Sequence, residues 1–108
     1  MSQFKSMNAN DLKKMRDDAV PHILLDVRMD QEVEICRIDG STHIVMDEVP
    51  ANLDQLDKDK KIIVHCKSGG RSAKVAQFLV QEGFGDVTNL EGGILGWIQD
   101  VDNSLTPY

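Results

Sequence analysis

Apolar residues in this chain fall into short runs that alternate with stretches of helical spacing. Residues 22–27 (HILLDV) and 61–66 (KIIVHC) are compact apolar runs of strand length. Neither alternates apolar with polar, which predicts strands buried on both faces of a sheet. Residues 41–45, after Gly40, read as a weaker strand, and residues 87–90 as a short one. Between them, Leu12 and Met15 lie three apart in a helix over 10–18 that Asn10 is placed to cap. Val49, Leu53 and Leu56 have helical spacing around Pro50, a residue suited to a first helical turn. The strongest helix covers 72–82, with Val75, Phe78 and Leu79 on one face and Gly83 in the C′ position. Gly92 and Gly93 read as a turn into a last helix, 94–101, which carries Trp97. Strands alternating with helices predict an α/β domain with a small, mostly parallel sheet flanked by helices. Its crossovers should be right-handed, and ligands should bind beyond the carboxyl ends of the strands. Two strands end there in polar residues, at Asp26-Val27-Arg28 and at Cys66-Lys67.

Composition narrows the function classes. At 108 residues the chain reads as a single domain, 1–108. Its 41% hydrophobic and 28% charged residues are ordinary for a globular protein and exclude disordered, collagen-like and coiled-coil chains. The longest aliphatic runs are triplets, such as Ile23-Leu24-Leu25 and Ile62-Ile63-Val64, where a membrane span needs ~20 apolar residues. The first ten residues, MSQFKSMNAN, hold no apolar signal-peptide segment, so a cytoplasmic protein is expected. A net charge of −6 excludes a general nucleic-acid binder. Within that acidic chain, residues 60–81 contain Lys60, Lys61, Lys67, Arg71 and Lys74 and no acid. Such a segment is either a solvated helix face or a local anion site. The two cysteines, Cys36 and Cys66, form no CxxC pair, which excludes a zinc ribbon or thioredoxin motif and implies reduced thiols. No metal-ligand cluster is visible, and no metal or organic cofactor is expected.

Residues 66–72, Cys66-Lys67-Ser68-Gly69-Gly70-Arg71-Ser72, join a buried strand to a helix. Two glycines let the backbone curl with its amide N–H groups inward as an anion nest, and the following helix adds the positive end of its dipole. A thiol in such a loop is acidified toward the nucleophilic thiolate, which makes Cys66 the candidate nucleophile. His65 precedes Cys66 on a strand, where neighbours point to opposite faces, so it is a poor base for that thiol. Asp26 and Arg28 read either as supports that orient the loop or as a structural pair that includes Glu32. His22, His43, Cys36 and Trp97 read as structural.

At this point the chain resembles the rhodanese-like sulfurtransferases along nearly its whole length. Leu25-Asp26-Val27-Arg28 followed by Glu32 is similar to the family's first signature. Cys36-Arg37-Ile38-Asp39-Gly40-Ser41, the loop at Cys66, and Leu90-Glu91-Gly92-Gly93-Ile94 with Trp97 are similar to the others. Glu34-Ile35-Cys36-Arg37-Ile38, the CKSGGRSA loop and the ending Val101-Asp102-Asn103-Ser104-Leu105 with Tyr108 most resemble the rhodanese domain that ends MoeB/ThiF-type adenylyltransferases. No adenylyltransferase domain is present, so the chain reads as a stand-alone relative or an excised domain.

The resemblance implies a five-stranded rhodanese-like fold and a sulfurtransferase working through a Cys66 persulfide. Lys67, Ser68, Gly69, Gly70, Arg71 and Ser72 would bind the substrate sulfur, with Lys67 and Arg71 offsetting its charge. The implied partners are a sulfane-sulfur donor, thiosulfate or a persulfidated protein, and a ubiquitin-like sulfur carrier as acceptor. Four residues separate Cys66 from Arg71, one fewer than the resemblance implies for a Cys-based phosphatase, which demotes that reading. A non-catalytic binding module of the same fold is the other rival, opposed by the retained cysteine, and a redox sensor pairing Cys36 with Cys66 is a third. Glu32 stands where thiosulfate-using members often carry a basic residue, so weak thiosulfate binding is expected.

Overall fold

The strand and helix segments assemble around one parallel sheet. The computed structural model describes residues 3–108. In chain order the elements are β1 (Lys5–Met7), α1 (Ala9–Asp17), β2 (Ile23–Asp26), α2 (Asp30–Ile35), β3 (Thr42–His43), a 3₁₀ stretch (Met46–Gln55), β4 (Ile62–His65), α3 (Gly70–Gln81), β5 (Val87–Leu90) and α4 (Gly93–Asp100). The strand order is β1-β5-β4-β2-β3, and every pair is parallel. Among the described residues no helix is long and apolar enough to cross a membrane.

The triplets fill both faces of this sheet, as a doubly covered parallel strand requires. Leu25, Val27, Ile62, Val64 and Cys66 pack with Val75, Ala76 and Leu79 of α3 and with Val49 and Leu56 from the 3₁₀ stretch and its end. Leu24, Ile63 and Leu90 pack on the other face, with Leu12 of α1 and Ile94, Trp97 and Ile98 of α4. Burying each such side chain is worth about 1.5–3 kcal/mol. The two-residue period sends Cys66 toward α3 and His65 to the opposite face. Cys36 belongs to the α1/α4 side and both cysteines are free, so the sheet stands between them.

Several local expectations are corrected. Asn8, not Asn10, caps α1: its Oδ1 accepts from Asp11 N–H while Asp11 accepts from Asn8 N–H, a reciprocal capping box. The stretch around Pro50 is 3₁₀ rather than α, begins at Met46 and kinks at Asn52, so Pro50 is not in its first turn. The strand expected over 41–45 shrinks to Thr42–His43. Helix α3 starts at Gly70, two residues before the expected start at Ser72, so the helix begins inside the loop. Strand β1 and helix α2 were not foreseen from the pattern. The first is a largely exposed edge strand, and the second buries no residue fully.

Candidate active site

The site forms at the carboxyl end of β4, where the chain turns from strand into helix. Cys66 is 1% exposed and sits at the base of the turn. Gly69 caps α3 in the left-handed region, with φ 114°, which favours glycine. Gly70 needs no such freedom: its φ is not positive, and a Cβ there would meet open space. The curl at the turn therefore depends on one glycine, not two.

The sulfur of Cys66 accepts from the N–H of Gly69 at 3.1 Å. Burial pushes this thiol up, but the Ser72 hydroxyl and the backbone N–H groups of Ser72, Gly69 and Ser68 outweigh it, so its pKa lies below the ordinary value. The hydroxyl of Ser72 has a single proton and three acceptors around it: Asn89 Oδ1 at 2.6 Å, Gly69 O at 3.2 Å and the sulfur at 3.4 Å. It serves one of these at a time, so the backbone amides are the donors committed to the thiolate. Asn89 also donates from Nδ2 to Gly69 O at 3.4 Å, fastening the loop to β5.

A second glycine pair braces the loop from behind. The N–H groups of Ile94 and Leu95, in the first turn of α4, donate to Cys66 O at 2.9 Å and Lys67 O at 3.1 Å. This approach requires Gly93, since a Cβ on it would lie 2.4 Å from Lys67 O and 2.6 Å from Cys66 O. The pattern of the sequence reads Gly92-Gly93 as a turn and the family resemblance places the pair in a signature, but neither assigns it this contact with the loop. Asn89, a buried polar residue of β5 beside the equally buried Thr88, is a local signal that this strand serves the site.

The two cations of the loop are both engaged. Arg71 donates to Glu32 through two hydrogen bonds, 2.6 and 2.9 Å. The Arg71 guanidinium is the main reason the Glu32 carboxyl is held down to about 2. Glu32 Oε2 also accepts from the Tyr108 hydroxyl at 2.6 Å, and Oε1 from Met29 N–H at 3.1 Å. Lys67 Nζ lies 4.7 Å from the centroid of the Tyr108 ring. Each positive charge thus has a partner other than the sulfur, although Arg71 still feels the charge of Cys66. Ser68 contributes its backbone N–H.

Asp26 and Arg28 do not touch the loop. They form a buried pair, 1% and 0% exposed respectively in their side chains, with Arg28 Nη2 2.8 Å from Asp26 Oδ2. Burial pushes the Asp26 carboxyl up, but Arg28 more than reverses it and holds it below the usual range. Arg28 reaches Cys36 O at 2.8 Å, Glu32 O at 3.3 Å and the Tyr108 hydroxyl at 3.0 Å. The pair therefore anchors α2 and Tyr108, and through them Glu32 and Arg71. Its action on the loop is indirect. His65 is fully buried, its two ring nitrogens have no hydrogen-bond partner, and burial lowers its pKa to about 4. It is neutral at pH 7. His22 and His43 make backbone contacts to Val20 O and Arg28 O. Trp97 is packed between α1 and α4, away from the thiol.

Comparison with known proteins places this arrangement. Residues 8–100 match the family described as Rhodanese-like domain. The chain is 37% identical over 95 residues to a putative sulfurtransferase of Bacillus subtilis, YtwF, covering 88% of this chain and 91% of that protein. It is 31% identical to the adenylyltransferase and sulfurtransferase MOCS3-2 of Zea mays, covering 94% of this chain but only 23% of that longer protein. The solved structure of a rhodanese-like domain protein from Staphylococcus aureus superposes with a TM-score of 0.85 at 33% identity, covering 97% of this chain and 99% of the other.

Proposed function

Because the chain belongs to the rhodanese-like domain family, we propose that it is a sulfurtransferase that carries a sulfane sulfur on Cys66. The observation that carries this reading is the Cys66 sulfur facing the amide N–H groups of its own loop at the start of α3, with Gly69 N at 3.1 Å. That nest stabilises an anion at the sulfur: first the thiolate, then the terminal sulfur of a persulfide.

With thiosulfate the Cys66 thiolate attacks the sulfane sulfur. A Cys66 S–S bond forms, the S–S bond of thiosulfate breaks, and sulfite leaves with the electron pair. In the second half a nucleophile such as cyanide attacks the terminal sulfur, thiocyanate departs, and the Cys66 thiolate is restored. Both halves are relatives of thiol–disulfide exchange and consume no external oxidant.

The engaged cations bear on the donor. Arg71 spends its charge on Glu32, and Lys67 lies against Tyr108. A small dianion therefore finds a weak electrostatic pocket. A protein-bound persulfide draws binding energy from surface remote from the sulfur and tolerates such a pocket. We therefore assign a persulfidated protein as the preferred donor, with thiosulfate a poorer one. The acceptor that fits the resemblance to adenylyltransferase-linked domains is the C-terminus of a ubiquitin-like sulfur carrier. The loop with four residues between Cys66 and Arg71, together with an Arg71 already bound to Glu32, opposes a phosphatase.

The test is the intact mass of the protein after thiosulfate, and separately after a cysteine desulfurase with cysteine. A gain of one sulfur atom on Cys66 is expected in both, faster with the desulfurase. Cys66→Ser should abolish the gain and all turnover, while Cys36→Ser should keep most of it. Retained turnover in Cys66→Ser, or an equally dead Cys36→Ser, overturns the assignment.

A further inference from the structure

Tyr108 touches one loop cation, Lys67, directly and the partner of the other, Glu32, which binds Arg71. After α4 the chain reverses at Asp102, whose Oδ1 accepts from Ser104 N–H at 3.1 Å, and it returns along the α1/α4 side of the core. Val101, Leu105 and Tyr108 pack there, which brings the Tyr108 ring to the loop. Its hydroxyl accepts from Arg28 Nη1 at 3.0 Å and donates to Glu32 Oε2 at 2.6 Å. Its ring face holds Lys67 Nζ at 4.7 Å.

These contacts have an electrostatic consequence. Glu32 receives donors from Met29, Arg71 and Tyr108, so its carboxylate is fixed in the orientation that neutralises Arg71. Lys67 is drawn to the negative face of the ring. Arg28 is charge-matched by Asp26 and has no mobility to lend, being fully buried. Docking of Tyr108 thus withholds Lys67 directly and Arg71 by way of Glu32.

We propose that Tyr108 is a specificity-determining positioning residue, which lowers the positive potential at Cys66 and so biases the site against small anionic sulfur donors. The inference rests on Cys66 being the sulfur-carrying residue for its meaning in turnover, but its electrostatic content does not.

The test compares alkylation of Cys66 by iodoacetate and by iodoacetamide, reagents of similar size that differ by one negative charge. In each, the thiolate displaces iodide, and the rate is followed by the mass of the peptide that contains Cys66. Both rates scale with the thiolate fraction and with access, so their ratio reports the local potential alone. Tyr108→Ala removes ring and hydroxyl, and the iodoacetate-to-iodoacetamide ratio should rise about three- to tenfold. Tyr108→Phe keeps the ring and should raise it about twofold. In ~1 M salt both increases should shrink toward unity, because the Debye length falls to about 3 Å. The thiosulfate KM should fall in the same order with little change in kcat. If both reagents speed up equally, leaving the ratio flat in Tyr108→Phe and Tyr108→Ala, Tyr108 is packing only and the proposal fails. Should Tyr108→Ala not fold, Tyr108→Phe decides alone. Since alkylation requires only a thiolate, a flat ratio refutes the role of Tyr108, whereas failure to form a persulfide refutes the function of the site.

Discussion

Gly93→Ala puts the bracing of the loop to the test. The added methyl would lie 2.4 Å from Lys67 O, 2.5 Å from Lys67 C and 2.6 Å from Cys66 O. All three are backbone atoms of the loop, so no flexible side chain can move aside. The residue also has φ +58°, which costs a non-glycine residue about 1–2 kcal/mol. Relieving the overlap means separating α4 from the loop. That weakens the Ile94 and Leu95 hydrogen bonds to Cys66 O and Lys67 O, each worth about 1 kcal/mol. Residual overpacking adds about 1–3 kcal/mol. Together these are on the order of 4–7 kcal/mol, a large share of the ~5–15 kcal/mol that holds a typical domain. Calorimetry should show Tm lowered by at least about 15 °C, taking ~4–8 °C per kcal/mol. In protein that remains folded, displacement of the loop carries its amides away from the sulfur. The pH midpoint of Cys66 alkylation should then move up toward the ~8.5 of a free thiol. Gly85→Ala is the control, because a Cβ there meets nothing within 4 Å. If Gly93→Ala melts within a few degrees of the parent and its alkylation midpoint is unmoved, the loop does not depend on α4 for its shape.

The remaining expectations concern charge. Iodoacetamide alkylation against pH should place the Cys66 midpoint below that of a free thiol, since the amide donors overcome burial; a midpoint at or above the free value removes the nest argument. Glu32→Gln should lower the thiosulfate KM about three- to tenfold with little change in kcat, because it frees Arg71 from an opposite charge while keeping the side-chain shape; an unchanged KM takes Glu32 out of donor selection. Acid should destabilise the fold in two stages, read by denaturant unfolding at successive pH values. His65 is held at about 4 against an ordinary 6.5, so between those values the unfolded chain binds a proton that the folded one refuses, and stability falls as pH falls. Glu32, at about 2 against 4.5, contributes stability fully present above 4.5 and lost as pH falls through 2, about 1–2 kcal/mol after discounting for the exposure of Arg71. His65→Gln should flatten only the upper stage, and an unaltered upper stage in that variant would show that His65 is not its source.

What was legible in the sequence is what adjacent residues decide among themselves. The triplets Ile23-Leu24-Leu25 and Ile62-Ile63-Val64 announce strands covered on both faces, since no register of a half-exposed strand can bury three consecutive aliphatics. The period of two then separates His65 from Cys66, and the spacing of Val75 and Leu79 orients α3 before any partner is known. The resemblance carried by the loop and its flanking signatures reached the family as well. Strand β1, a largely exposed KSM, and α2, a polar DQEVEI, offered no such pattern. The first is held by its pairing along β5, and the second by Glu32 and the hydrogen bonds of Arg28. The electrostatics of the site belong to tertiary structure for the same reason. Arg71 looks free beside Cys66 in the sequence, yet its partner is 39 residues away, and the hydroxyl that fixes that partner is 76 residues beyond it. A charge's effect depends on what lies within a few ångströms of it. Here only the packing of α2, α4 and the returning chain decides that neighbourhood.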